Sequence, residues 1–323
     1  SGVNGGTVFD LLDIESIEIL RGPQGLLFGR NTTGGAVLIN TTRPSDELKQ
    51  KLRVSSDGPV KGGRGGFNST AQYLVTGPLS ETLRGKVSLY YNKDDGYFQN
   101  LYDGSNHGEA ETYAARLGLE WDASDDLTFN ARLDFFESEG DGPSSQNHGH
   151  YSRDSFDFSI DEKGNYSTDD TLSFSLRGDL DVGFGNGTIT NIFGWREASG
   201  SSSNGDIDAT PTHIFHSGAL SDNEQISNEL RYSGTFSNYD VTVGLYWFDQ
   251  DLSYDENRSF SGGAALAFGG GKQNHTVQSV FGQVDYHHTE RLTGIFGLRY
   301  SKEEKDAAVN YILPGDEPCS VVH

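Results

Sequence analysis

The 323 residues carry 24 Lys and Arg against 47 Asp and Glu, a formal charge of −23. That balance excludes a nucleic-acid partner, because phosphate binding needs a concentrated basic surface. Hydrophobic residues make up 34% of the chain beside 42 glycines, 19 phenylalanines and 15 tyrosines, and no run approaches the roughly 18 consecutive apolar residues of a membrane helix. A membrane crossed by this chain is crossed by strands, whose wall needs only every second residue to be apolar.

At the N-terminal end Leu11, Leu12, Ile14 and Ile17 recur at helical spacing, with Asp10 and Asp13 placed to favour a helix N-terminus. Ile17 and Ile19 then alternate with Glu18 and Leu20 as far as Gly22-Pro23, which stops any regular element. Leu26-Leu27-Phe28 leads into Gly29, and Gly34-Gly35 precede a strand-like run Ala36–Ile39 that ends before Arg43-Pro44. These residues alone predict a small mixed α/β unit, and an ordinary α/β protein with a glycine turn satisfies them equally. Gly22-Pro23-Gln24-Gly25 lacks the lysine and Ser/Thr of a phosphate loop, so no nucleotide site follows.

The stretch Asp13–Pro44 combines Ile17-Glu18-Ile19-Leu20-Arg21-Gly22-Pro23, Phe28-Gly29-Arg30-Asn31 and Gly34-Gly35-Ala36-Val37. It resembles the end of the plug domain of TonB-dependent outer-membrane receptors. The resemblance implies a plug portion over residues 1–46 and, over 47–323, the N-terminal half of a transmembrane β-barrel in the outer membrane of a Gram-negative bacterium. It further implies active uptake of a scarce extracellular small molecule, most often a ferric siderophore, with haem, cobalamin and oligosaccharides carried on related scaffolds. Energy would come from the inner-membrane TonB complex through an N-terminal box, which does not occur in these 323 residues. The chain opens on Ser1-Gly2 with no methionine and no signal peptide, so a fragment is expected. No covalently bound cofactor is expected.

From Lys51 onward eleven strands are predicted, near Lys51–Ser56, Asn68–Thr76, Leu83–Lys93, Glu111–Trp121, Leu127–Ser138, Leu172–Val182, Thr188–Ala198, Glu224–Gly234, Asp240–Tyr254, His275–His287 and Leu292–Lys302. In Leu127–Phe135 the apolar Leu127, Phe129, Ala131, Leu133 and Phe135 share one face, and Thr128, Asn130, Arg132 and Asp134 the other. Such alternation also suits an antiparallel sheet over a soluble core. The connections separate the two cases. Short ones near Gly77–Ser80, Ala123–Asp126, Gly183–Gly187, Thr235–Asn238 and His288–Arg291 alternate with long polar stretches near Asp94–Gly108, Glu139–Asp170, Ser199–Asp222 and Asp255–Asn274. Short turns at one end and long loops at the other mark outer-membrane barrels. The phrases Gln225–Arg231, Gly244–Gln250, Val280–Tyr286 and Phe296–Glu303 are similar to recurrent barrel strands of the same family. Its barrels have 22 strands, the size of plugged transporters, so eleven are about half.

The resemblance also implies a lock between plug arginines and barrel glutamates. Arg21 and Arg30 are the plug candidates, with Glu229 and Glu303 opposite them on lumen-facing parity; solvated lumen charges are the alternative. The plug motif positions are Arg21, Gly22, Pro23, Gly29, Arg30, Asn31, Gly34 and Gly35. Ligand contact is expected from loops: Tyr97, Phe98 and Tyr102 in one, His148, His150 and Tyr151 in the next, His213 and His216 in a third. Aromatic rings there can stack on a catechol, a porphyrin or a sugar, or simply pack as a girdle. No metal site is expected, since neither His148-Gly149-His150 nor His287-His288 has the ligand set of a closed site. Asp206-Ile207-Asp208 lacks the glycine and terminal glutamate of a calcium loop. No Ser/His/Asp or Cys/His arrangement has recognisable context, so an enzyme is not expected. A passive porin and a barrel adhesin or enzyme are the rivals from other classes. The plug motif argues against the porin, and no catalytic or adhesive site supports the others.

Overall fold

A computed structural model describes residues 13–22, 25, 32, 34–58, 66–142, 145–152, 157–161 and 166–312. Two strands, β1 (Ile14–Arg21) and β2 (Gly35–Thr41), form an antiparallel pair in which Ile17 faces Ile39 and Ile19 faces Val37. Helical spacing in this segment is overturned where it can be seen. Ile14 and Ile17 lie in extended chain, because β-branched residues fit a pleated surface and β2 supplies partners for their backbone groups. Leu11 and Leu12 lie outside the described residues.

The motif glycines close this pair for stated reasons. Gly22 sits at φ +85° and donates its N–H to Gly34 O at 3.2 Å. A Cβ on Gly35 would stand 2.3 Å from Leu20 O, so no larger residue fits opposite Arg21.

The remaining strands are β3 (Lys49–Asp57), β4 (Asn68–Pro78), β5 (Leu83–Asn100), β6 (Asn106–Ser124), β7 (Leu127–Gly140), β8 (Asp157–Phe158), β9 (Tyr166–Val182), β10 (Gly187–Asp206), β11 (Phe215–Thr235), β12 (Tyr239–Phe260), β13 (Ala265–Thr289) and β14 (Leu292–Ile312). Eleven of them pair in sequence order, antiparallel throughout, from β3 to β14; β8 stands off this path and pairs with β5 in parallel. All eleven predicted strands are present. The sheet is not closed, and β3 and β14 form its two edges. It is a partial antiparallel membrane barrel.

The strands overrun their predicted ends by three residues at most at the short turns and, in most of them, by far more at the long-loop end. β13 has 25 residues, whereas about 9–11 tilted residues cross a bilayer. Much of the polar sequence expected to be loop therefore continues the ladder: β5 runs to Asn100, β10 to Asp206 and β12 to Phe260. Beyond the membrane both faces are wet, so backbone pairing persists without the apolar alternation that reveals a strand in sequence.

One row of paired residues shows which face meets lipid. Leu83, Trp121, Phe129, Gly178, Asn191, Leu230, Leu245, Val280 and Tyr300 are successive cross-strand partners. Leu133 and Phe135 share this face and are exposed, as are Leu298 and Phe296. Near the short turns Phe184, Phe236 and Tyr239 pack ring on ring, with centroids 5.3 and 4.8 Å apart, in the position of an interfacial aromatic girdle. The opposite face carries Lys86, Ser88, Arg116 and Asp134, all buried.

Candidate functional site: a plug latch and an outer cap

Two assemblies stand out, one at the short-turn end of the wall and one at the long-hairpin end. At the first, the plug segment docks on the inner face of β5 to β7 through Asp13. This residue takes φ +51°, a left-handed conformation that Asp tolerates better than most side chains. Its Oδ1 accepts from Arg116 Nη1 at 2.6 Å, and its Oδ2 accepts from Lys86 Nζ at 2.5 Å and Ser88 Oγ at 2.9 Å. Arg116 Nε donates in turn to Asp134 Oδ1 at 2.5 Å, and Arg132 Nε to Asp134 Oδ2 at 2.8 Å. Lys86 also donates to Thr42 O, and Thr42 N to Asp13 O at 2.9 Å, so both ends of the hairpin meet one lysine. Asp13, Lys86, Arg116 and Asp134 are 2–4% exposed. Two carboxylates face two cations out of water, the condition under which a buried ion pair is tolerated. Beside this latch, Arg84 Nη1 meets Asp46 at 3.0 Å and Ser45 N donates to Thr76 Oγ1 at 2.9 Å, tethering the chain between β2 and β3.

The latch differs from the expected pairing in sign and in residues. Glu229 pairs with Arg231 at 3.1 Å; Glu303 lies 2.7 Å from His275 and 3.0 Å from Lys305. No ion pair joins Arg21 to either glutamate among the described residues. Register explains this: Glu229 and Glu303 lie on β11 and β14, whereas the plug hairpin rests against β5 to β7. Pro23, Gly29, Arg30 and Asn31 lie outside the described residues. The sequence pattern places Asp13 at a helix start, whereas in the structure it anchors the plug to the wall. Of its partners' surroundings the sequence pattern shows Asp134 alone, on the polar face of its strand.

At the other end, residues from three separate connections gather into a cap. β8 pairs with the tip of β5, where β4 is too short to continue. Buried Asn100 mimics a strand there: its Nδ2 donates to Ile160 O at 3.0 Å and its Oδ1 accepts from Ile160 N at 3.1 Å. Phe158, Ile160 and Ala209 form a small apolar core with Phe98 against it. The His107 ring packs edge-on to Phe158 at 5.1 Å. Asp206 accepts from Ala209 N at 2.8 Å and from Asp161 N at 3.2 Å, and Asn147 Nδ2 donates to Asp208 O at 2.9 Å. Asp206-Ile207-Asp208 thus organises a loop.

Of the ligand candidates, Phe98 is built into the cap, with Tyr97 edge-on to it at 5.9 Å. Tyr102, His148 and His150 are exposed on neighbouring turns and Tyr151 is half-buried. His213 and His216 come together with ring centroids 3.7 Å apart, and His216 Nε2 lies 2.7 Å from Asp161 Oδ1. Burial lowers the pKa of His107, opposed by Asp141 and Asp103. Burial, with Asp208 adding repulsion, pushes the Asp206 carboxyl up to about 6 against the hydrogen bonds it accepts.

A β-hairpin latched inside a wall of long antiparallel strands is the architecture of a plugged outer-membrane barrel. Residues 1–36 match the TonB-dependent Receptor Plug Domain family. The ferric enterobactin receptor PirA of Pseudomonas aeruginosa is 32% identical over 107 residues, 33% of this chain and 14% of that protein. The ferripyoverdine receptor of the same organism is 26% identical over 141 residues, 43% of this chain and 16% of that protein. The solved ferric yersiniabactin uptake receptor FyuA from Yersinia pestis superposes with TM-score 0.74 at 18% identity, over 93% of this chain and 49% of that one. The chain therefore spans about half the length of that receptor. The first 36 residues thus match the plug of TonB-dependent receptors, and the strands that follow have the fold of part of such a receptor's barrel.

Proposed function

We propose that the protein containing this chain imports a ferric siderophore across the outer membrane, driven by TonB. The observation that carries the reading is the Asp13 latch, which fixes a plug hairpin to the inner wall by a buried charge set. An open porin has no use for such an obstruction, whereas an energised importer needs one that holds at rest and yields to force. The relatives named for ferric enterobactin and ferripyoverdine support iron chelates as the substrate class. The cap supplies aromatic and imidazole groups above the lumen, suited to a flat, polar chelate.

Uptake by the full-length receptor tests this. Cells lacking other siderophore receptors should accumulate iron from catecholate or mixed-ligand ferric siderophores, and lose that uptake when TonB is deleted. Haem, cobalamin and oligosaccharide serve as parallel arms. Uptake of one of these alone would replace the siderophore reading, and TonB-independent diffusion of all of them would overturn the importer.

A further inference from the structure

The loop between β7 and β9 and the β10–β11 hairpin meet at a cluster of nitrogen and carboxylate donors. Asp161 comes from the first, His213 and His216 from the second. One ligand atom from each lies within 4.8 Å of the others. His213 and His216 are three residues apart across the loop-to-strand junction, so β11 fixes one ring while the turn before it brings the second alongside. Asp161 is oriented from behind, its backbone N–H held by Asp206 at 3.2 Å.

We propose that Asp161, His213 and His216 bind a divalent cation of the zinc class, stapling the β7–β9 loop to the β10–β11 hairpin. Two imidazoles and one carboxylate with a fourth position open are a zinc donor set. The same nitrogens disfavour calcium and magnesium, which take oxygen ligands. Four-coordinate zinc with bonds of about 2.0–2.2 Å places its ligand atoms about 3.3 Å apart. The His216–Asp161 contact of 2.7 Å must open slightly and the His213 atom must close in. With all three atoms already within 4.8 Å of one another, no pair has to change its separation by more than about 1.5 Å. Asp206 and Asp208 add negative charge around the three donors, which concentrates cations at the cap. His213 and Asp161 are half-buried and give access from outside, while His216 is buried and anchors the site. The proposal concerns the bare ion and stands apart from the siderophore reading.

The test uses the full-length receptor in detergent, with Zn2+ as the only added metal, titrated in competition with a chromophoric chelator. Wild type should take up one equivalent at least about tenfold more tightly than His213→Ala or Asp161→Asn. Co2+ in place of zinc should give visible d–d bands that both variants lose. His148→Ala/His150→Ala should bind like wild type. His216→Ala is read only if it keeps heat-modifiable migration, and the two half-buried positions carry the test without it. Equal affinity in wild type, His213→Ala and Asp161→Asn, all three folded, would overturn the site, as would loss of binding confined to the His148/His150 variant.

Discussion

Asp13→Ala should free the plug from the wall without unfolding the barrel. The substitution removes both acceptor oxygens from a set of groups 2–4% exposed and leaves Lys86, among the described residues, with the neutral Thr42 O and Thr42 Oγ1 as its acceptors. Arg116 retains Asp134. Breaking one side of a buried ion pair costs about 3–5 kcal/mol, because the remaining charge stays out of water without compensation. At 1.4 kcal/mol per factor of ten, the equilibrium between docked and released plug should shift by roughly a hundredfold to a few thousandfold. Pulse proteolysis of the full-length receptor in outer-membrane vesicles measures this, scoring cleavage in the plug while the barrel keeps its heat-modifiable migration. Asp13→Leu/Lys86→Met should recover much of the loss, since an apolar pair of similar volume can replace a buried ion pair at little cost. Glu229→Ala and Glu303→Ala should leave the plug protected, because their partners are Arg231, His275 and Lys305 on the wall itself. Equal plug cleavage in wild type and Asp13→Ala would refute the latch.

Three further outcomes are expected. Leu133→Arg places a charge on the lipid face at a cost of about 2–4 kcal/mol near the midplane and should lower outer-membrane levels of the full-length protein, whereas Leu133→Ile should not. Asn100→Ala leaves both backbone groups of Ile160 without their side-chain partner, a loss of about 1–3 kcal/mol that faster hydrogen exchange across 157–161 should report. The cap should loosen on acidification through His107, whose folded pKa is depressed by burial. The folded state resists a proton that the unfolded state accepts, so this contribution is complete above about pH 6.5 and is lost as pH falls from there towards the folded pKa. Asp206, raised to about 6, acts in the opposite direction: its carboxyl destabilises at neutral pH and that cost is relieved as pH falls through about 6. The difference in exchange between wild type and His107→Gln isolates the histidine, and an identical pH profile in the two would count against it.

Alternation of apolar and polar residues locates the wall strands and, with the short turns and long loops that mark a membrane barrel, sets which face meets lipid, because period two is imposed by the pleat itself and by an apolar solvent on one side. Leu127–Phe135 shows this residue by residue. The same logic fails beyond the bilayer, where β10 continues to Asp206 and β13 begins at Ala265 in sequence with no such alternation. The plug signature at Asp13–Pro44 was legible as a family resemblance, and Gly22 and Gly35 have local reasons that a sequence can state. What the sequence could not determine was who meets whom across the chain. Asp13 lies 73 residues from Lys86 and 103 from Arg116, and Asp161 lies 55 from His216. Such pairings depend on which strands the plug rests against and where a loop returns. Those are set by the packing of the whole sheet, and local spacing carries no record of them.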